Sequence, residues 1–268
     1  MHDVLTIAGF AIMAAVLISA SAQDIRSREV SDAHWVLMGI TGIIIMVVRM
    51  FDGIVSIERI MVCAGTVMII ADILYDRKCP RHLDILFYAV LATMFVIPLT
   101  VSADDIFIGT SLVIPACYLV FAGMFYAGVL KGGADVKCLI SLAIVFPVYP
   151  EMLGYPVIGI PSSVMPLIMP FPTAVLLVAS IFSVSAMVFV IVKNIMRGDT
   201  EFPNMLLGYT MNSRDARDSH VWIMDKTNIG NTCHNDRIWV TPKIPFIVPL
   251  TAAAIFTALA GNPMFLLT

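Results

Sequence analysis

The sequence predicts an all-α polytopic membrane protein, a bundle of about eight transmembrane helices with a small cytoplasmic α+β insertion. Three observations carry that prediction. Of 268 residues, 59% are hydrophobic and only 13% charged, and the mean hydropathy is +0.93, well away from soluble domains. The apolar residues fall in runs of about 20, the length needed to cross a bilayer as a helix. The charged residues collect between those runs and on alternate sides of them.

Taken in order, the runs cover residues 4–22, 34–50, 57–74, 83–99, 106–130, 136–149, 174–192 and 244–260. The first has no charged leading region and no clear small-residue cleavage site, so it reads as a retained helix. The sixth is short and is followed by a Pro-rich run, which predicts a partial or re-entrant span. Residues 147–172, rich in Pro, Gly and Met with one charge at Glu151, read as an outer loop on the membrane surface.

Orientation follows from lysine and arginine. With the N-terminus outside, fourteen of the sixteen basic residues fall in inner loops and only Arg49 and Arg59 in outer ones. That topology gives a transmembrane domain over 1–193, a cytoplasmic insertion over 194–243, and a final helix over 244–268 that rejoins the first domain. Within the insertion, residues 220–224 and 237–241 read as short strands, joined by an Asn- and Gly-rich turn over 228–236. The net charge of −3 decides little, because its distribution outweighs its sum.

Two aspartates stand at membrane boundaries. Asp135 follows Gly132, Gly133 and Ala134, three small residues that let another backbone approach its carboxylate. Asp24 closes the first run, in Asp24-Ile25-Arg26-Ser27-Arg28-Glu29-Val30-Ser31-Asp32. Ionisable residues at such depths are costly and are functional candidates, although an aspartate after glycines also suits a helix N-cap. The predicted topology puts both on the cytoplasmic face. Two facing carboxylates that share a proton can hydrolyse an amide: one takes a proton from water while the other polarises the carbonyl.

The Asp24 segment resembles the first-aspartate motif of the type IV prepilin peptidases, especially their archaeal preflagellin (archaellin) and prepilin branch. Gly132-Gly133-Ala134-Asp135-Val136-Lys137 is similar to that family's GxGD motif, which names the GxGD membrane aspartic proteases. Trp239-Val240-Thr241-Pro242-Lys243-Ile244-Pro245-Phe246 also resembles archaeal members. The resemblance implies an aspartic-type endopeptidase with Asp24 and Asp135 catalytic. It also implies that Gly132, Gly133, Ala134 and Lys137 support them. The implied partners are membrane-embedded pilin-like or archaellin precursors, which lose a short basic leader at the cytoplasmic boundary of the plasma membrane. No metal, cofactor or nucleic acid is implied.

The chain departs from the family pattern in places. Ala134 stands where Gly is typical and Asp32 where Asn is frequent. The aspartates are further apart than usual, with two extra runs at 57–99 between them. The zinc-binding cysteine region of the bacterial type and its methyltransferase-associated segment have no counterpart, so methylation is not implied. Tyr75-Asp76 resembles the first motif of presenilin-like GxGD proteases, which makes Asp72 and Asp76 rival partners for Asp135. The Pro-Ala-Leu motif of that class is missing. A carboxylate-based transporter and a catalytically silent scaffold are the remaining alternatives. Five cysteines without C-x-x-C spacing, and a lone Cys233-His234 pair, build neither a disulfide framework nor a metal site. Arg26, Arg28 and Lys137 read as inner-face anchors, with Lys137 also able to orient Asp135.

Overall fold

A central short helix, enclosed by longer ones, organises the computed structural model. It describes residues 2–75, 80–130, 132–158, 169–202, 204–212, 221–224, 237–242 and 245–262. The described helices are α1 (His2–Ser27), α2 (Ala33–Met50), α3 (Ile57–Leu74), α4 (Arg81–Val101), α5 (Ile106–Ser111), α6 (Val113–Tyr126), α7 (Gly133–Val145), α8 (Phe171–Arg197), α9 (Asn204–Leu207) and α10 (Ile247–Ala260). The strands are β1 (Tyr209–Asn212), β2 (Val221–Ile223) and β3 (Arg237–Pro242).

Local chemistry sets several boundaries. Ser56 caps α3 by accepting from the Arg59 amide, and Asp105 caps α5 by accepting from Phe107 at 2.8 Å. Pro172 sits in the first turn of α8, where its missing N–H costs nothing, and Gly198 ends that helix at φ 80°.

The chain is a multi-pass membrane protein. Among the described residues, five stretches are long and apolar enough to cross a bilayer: Asp3–Ser27, Ala33–Met50, Arg81–Val101, Ile106–Tyr126 and Phe171–Arg197. The fourth comprises α5 and α6 together. The remaining three predicted runs take other forms. α3 carries Glu58, Arg59 and Asp72, while α7 and α10 have 13 and 14 residues. At 1.5 Å per residue α7 extends only about 20 Å.

Its burial explains how so short a helix is accommodated. Residues Cys138 to Val145 of α7 are all buried, packed by α1, α2, α3, α6, α8 and α10. Irregular backbone at membrane depth is tolerated where protein, not lipid, surrounds it. The closest approach is at Gly42 of α2, where an added Cβ would lie 2.8 Å from the backbone of Ile144. Around this core, Ile18, Leu37, Ile44, Val96, Leu119 and Val184 present apolar side chains outward, as lipid contact requires.

Beyond α7 the chain stays against the bundle. Phe146 and Tyr149 are buried and meet Phe171 edge to face, and the Val157 and Ile158 amides donate to Leu259 and Ala260. This part of the expected outer loop therefore caps the bundle end instead of lying free on the membrane.

The polar insertion holds a three-stranded antiparallel sheet in the order β1-β3-β2. The expected strand pair is present as β2 and β3, with Ile223 opposite Val240, and β1 adds an unanticipated third strand. The turn over 228–236 lies outside the described residues. The buried Asn194 amide near the end of α8 donates to the carbonyls of Met205 and Gly208, and Trp239 donates to Glu201 at 2.6 Å. These bonds attach the sheet to the end of α8.

Candidate active site

Asp24 and Asp135 line one cavity of about 560 Å³. α1 delivers Asp24 from its last two turns, and α7 delivers Asp135 from its first. Two hydroxyls hold α1 against α10 beside the site. Ser21 Oγ and Thr251 Oγ1 share a hydrogen bond at 2.7 Å, and the carbonyls of Ile247, 3.3 Å from Ser21, and Leu17, 3.1 Å from Thr251, are acceptors for whichever hydroxyl hydrogen is left. In the low-dielectric interior these small hydroxyls bind two apolar helices in a defined register.

Asp24 is buried as a residue, at 8% exposure, and the backbone N–H of Ile247 at the start of α10 is within hydrogen-bonding reach of its carboxylate. Asp135 is half-buried and within electrostatic reach of Asp24. A helix N-terminus presents free amides and the positive end of its dipole, which favours acidic groups at both places.

The small residues have separate geometries. A Cβ on Gly132 would collide with the Asp135 carboxylate, whose Cγ would lie at 2.8 Å. The carboxylate thus folds back over Gly132, and any side chain there would push it out of this position. A Cβ on Gly133 would meet nothing within 4 Å, because Gly133 faces the open cavity. Ala134 lines the same cavity and is half-buried.

Lys137 belongs to the neighbouring side of α7. Its ammonium donates to Asp32 at 2.6 Å, and both line a second cavity of about 460 Å³ with Asp72, Asp84 and Tyr126. Asp72 accepts from Tyr118 and, at 3.4 Å, from Tyr88. Of the two rival aspartates, Asp72 therefore sits in this second cavity and away from the one that holds Asp135. Asp76, like Lys131, lies outside the described residues, as do Cys233 and His234. Among the described residues, no group of three or more His, Cys, Asp and Glu side chains is placed to hold a metal ion.

Sequence reasoning missed three contributors. Arg28, Phe246 and the Ile247 amide all line the Asp24 cavity. Arg28 is half-buried and has φ 59°, in the left-handed region. It follows the last residue of α1 and its amide donates to the Asp24 carbonyl at 3.0 Å, a position usually given to glycine. For other residues that conformation costs about 1–2 kcal/mol. Nothing in the local sequence distinguishes it from Arg26.

Fold and site together define a multi-pass membrane protein in which carboxylates from separate helices share a cavity at one end of the bundle. No family model matches the chain. Over nearly its full length, however, it is similar to the preflagellin peptidase of Methanococcus maripaludis, with 24% identity over 263 residues and 92% of each chain covered. It is equally similar to the preflagellin peptidase of Methanocaldococcus jannaschii, at 24% over 273 residues and 94% of each chain. Both of these similar proteins are preflagellin peptidases matched over more than nine-tenths of their length.

Proposed function

We propose that the protein is a membrane aspartic endopeptidase that removes the short basic leader from preflagellin or prepilin-like precursors. The observation that carries this reading is the shared cavity of Asp24 and Asp135. The full-length similarity to two preflagellin peptidases supports the substrate class.

In this mechanism one carboxylate is ionised and the other protonated. Like charges within electrostatic reach of each other, at a poorly solvated boundary, favour a shared proton. The ionised group takes a proton from a water molecule as its oxygen bonds to the scissile carbonyl carbon. The protonated group donates a hydrogen bond to the carbonyl oxygen. Collapse of the tetrahedral intermediate breaks the C–N bond, and the proton taken from water passes to the departing amine. Gly132 keeps space for the Asp135 carboxylate, and the Ile247 amide orients that of Asp24.

In the same reading about eight apolar runs enter the membrane, with α3 and α10 crossing it and α7 held as a short enclosed span. Residues 194–243 form a cytoplasmic insertion, and the cavity opens to the cytoplasm. Arg26, Arg28, Arg81, Lys193 and Arg197 lie at or near the helix ends on the cavity side, and Arg49 and Arg59 near the other ends, which supports that orientation. The precursor's apolar stretch stays in the bilayer and presents its leader junction to the cavity.

The test is cleavage by the detergent-solubilised full chain. A preflagellin precursor should shift by the mass of its leader, and Asp24→Asn or Asp135→Asn should abolish the shift. Full processing by either variant would overturn the assignment.

A further inference from the structure

Arg28 carries an unexplained cost. Its Nε and Nη1 atoms are buried and have no hydrogen-bond partner. It lines the same cavity as Asp24, Glu29 and Asp135, and its charge is within electrostatic reach of Asp24. The left-handed backbone at φ 59° adds strain that a glycine would relieve. Buried charged donors are normally paired, so an unpaired set in a cleft calls for an acceptor from outside the chain.

We propose that Arg28 is a substrate-binding residue whose guanidinium donates to backbone carbonyl oxygens of the peptide lying between Asp24 and Asp135. The inference rests on the peptidase reading above. An extended peptide has carbonyl oxygens free on its edges, and the planar fork of a guanidinium reaches them with fixed geometry. Two donor nitrogens without a protein acceptor stand beside the proposed catalytic pair, and rotation of the side chain toward the cavity would bring them to that contact. Merely balancing the charge of Asp24 would need no such fork, and lysine would serve as well. The strained turn after α1 is what directs the side chain at this position into the cavity.

The test uses the detergent-solubilised full chain and a fluorescent synthetic peptide with a lysine-rich leader and an apolar run. The peptide lacks Asp and Glu and has an amidated C-terminus, so its acceptors are carbonyls. Binding is measured by anisotropy on an Asp135→Asn background, where no turnover is needed. Arg28→Gly should weaken binding about tenfold or more, as loss of hydrogen bonds from a charged donor implies. It should unfold at the same temperature as its parent or higher, because the backbone strain is relieved. Added methylguanidinium should restore binding to this variant. Arg28→Lys, which keeps the charge without the fork, should bind with intermediate affinity and carries the test alone if the glycine variant does not fold. In the active chain Arg28→Lys should raise KM with little change in kcat. Unchanged affinity in Arg28→Gly, or wild-type affinity in Arg28→Lys, would overturn the inference. A wild-type chain that binds the peptide through Arg28 but cleaves no precursor would keep the anchor and overturn the peptidase reading.

Discussion

Lys137, just past the first turn of α7, donates to Asp32 in the turn between α1 and α2, at 2.6 Å. The bond joins the segment that follows Asp24 to the segment that bears Asp135. Both partners are partly exposed, at 27% and 52% of their side chains, so water screens the pair. Its direct contribution to stability is at most about 1 kcal/mol. Its effect on the relative placement of the two carboxylates is the larger consequence.

Lys137→Met and Asp32→Asn should therefore each reduce turnover by a modest factor, about fivefold, without abolishing it. The exchange Lys137→Asp with Asp32→Lys should recover part of the loss. Steady-state cleavage at low and high salt checks this, since the wild-type advantage should shrink as salt rises.

Asp24→Asn and Asp135→Asn should each lower cleavage by at least about a hundredfold, the typical worth of a positioned acid or base. The double variant should be no worse than the poorer single one, because the pair acts as a unit. Asp72→Asn should retain activity, since its carboxylate serves Tyr118 and Tyr88 in the second cavity. The measurement is precursor processing at matched membrane expression.

Gly132 and Gly133 should separate although they are adjacent. Gly132→Ala should be severely impaired, because the added methyl displaces the Asp135 carboxylate. Gly133→Ala has free space and should keep most activity. Turnover of saturating precursor, with thermal unfolding as a folding control, distinguishes the two.

Gly42→Val should destabilise the bundle by about 1–3 kcal/mol, the usual cost of overpacking. The branched side chain would press on the Ile144 backbone and move α7 away from α2. Thermal unfolding in detergent should show a lower midpoint, with cleavage lost in parallel.

Orientation is checked by reporter fusions. Fusions at Arg28, Lys78, Lys131 and Arg214 should read cytoplasmic, and those near Asp52, Ser102 and Gly159 external. Arg28 and Lys131 on opposite sides would make the shared site impossible.

Much of the architecture was legible in one dimension because its cause is one-dimensional. A membrane span must satisfy its own backbone within one apolar run, so residues 34–50 and 83–99 fall within α2 and α4. Asp24 and Asp135 stood out because charge at an apolar boundary is costly wherever the chain goes next. Alternation likewise made β2 and β3 readable, whereas β1 is specified mainly by its partner, β3. Tertiary packing decided the rest. α7 is a short enclosed helix only because six others surround it, and no local signal separates that from a partial span. Lys137 pairs with Asp32, and the Ile247 amide meets Asp24, through distances set by helix packing. Arg28 and Arg26 read alike in sequence, yet the left-handed turn after α1 puts one guanidinium in the cavity. Composition and periodicity act residue by residue along the chain, so they determine helices and boundaries. Which side chains meet across the bundle depends on how those helices pack, and that is a property of the whole fold.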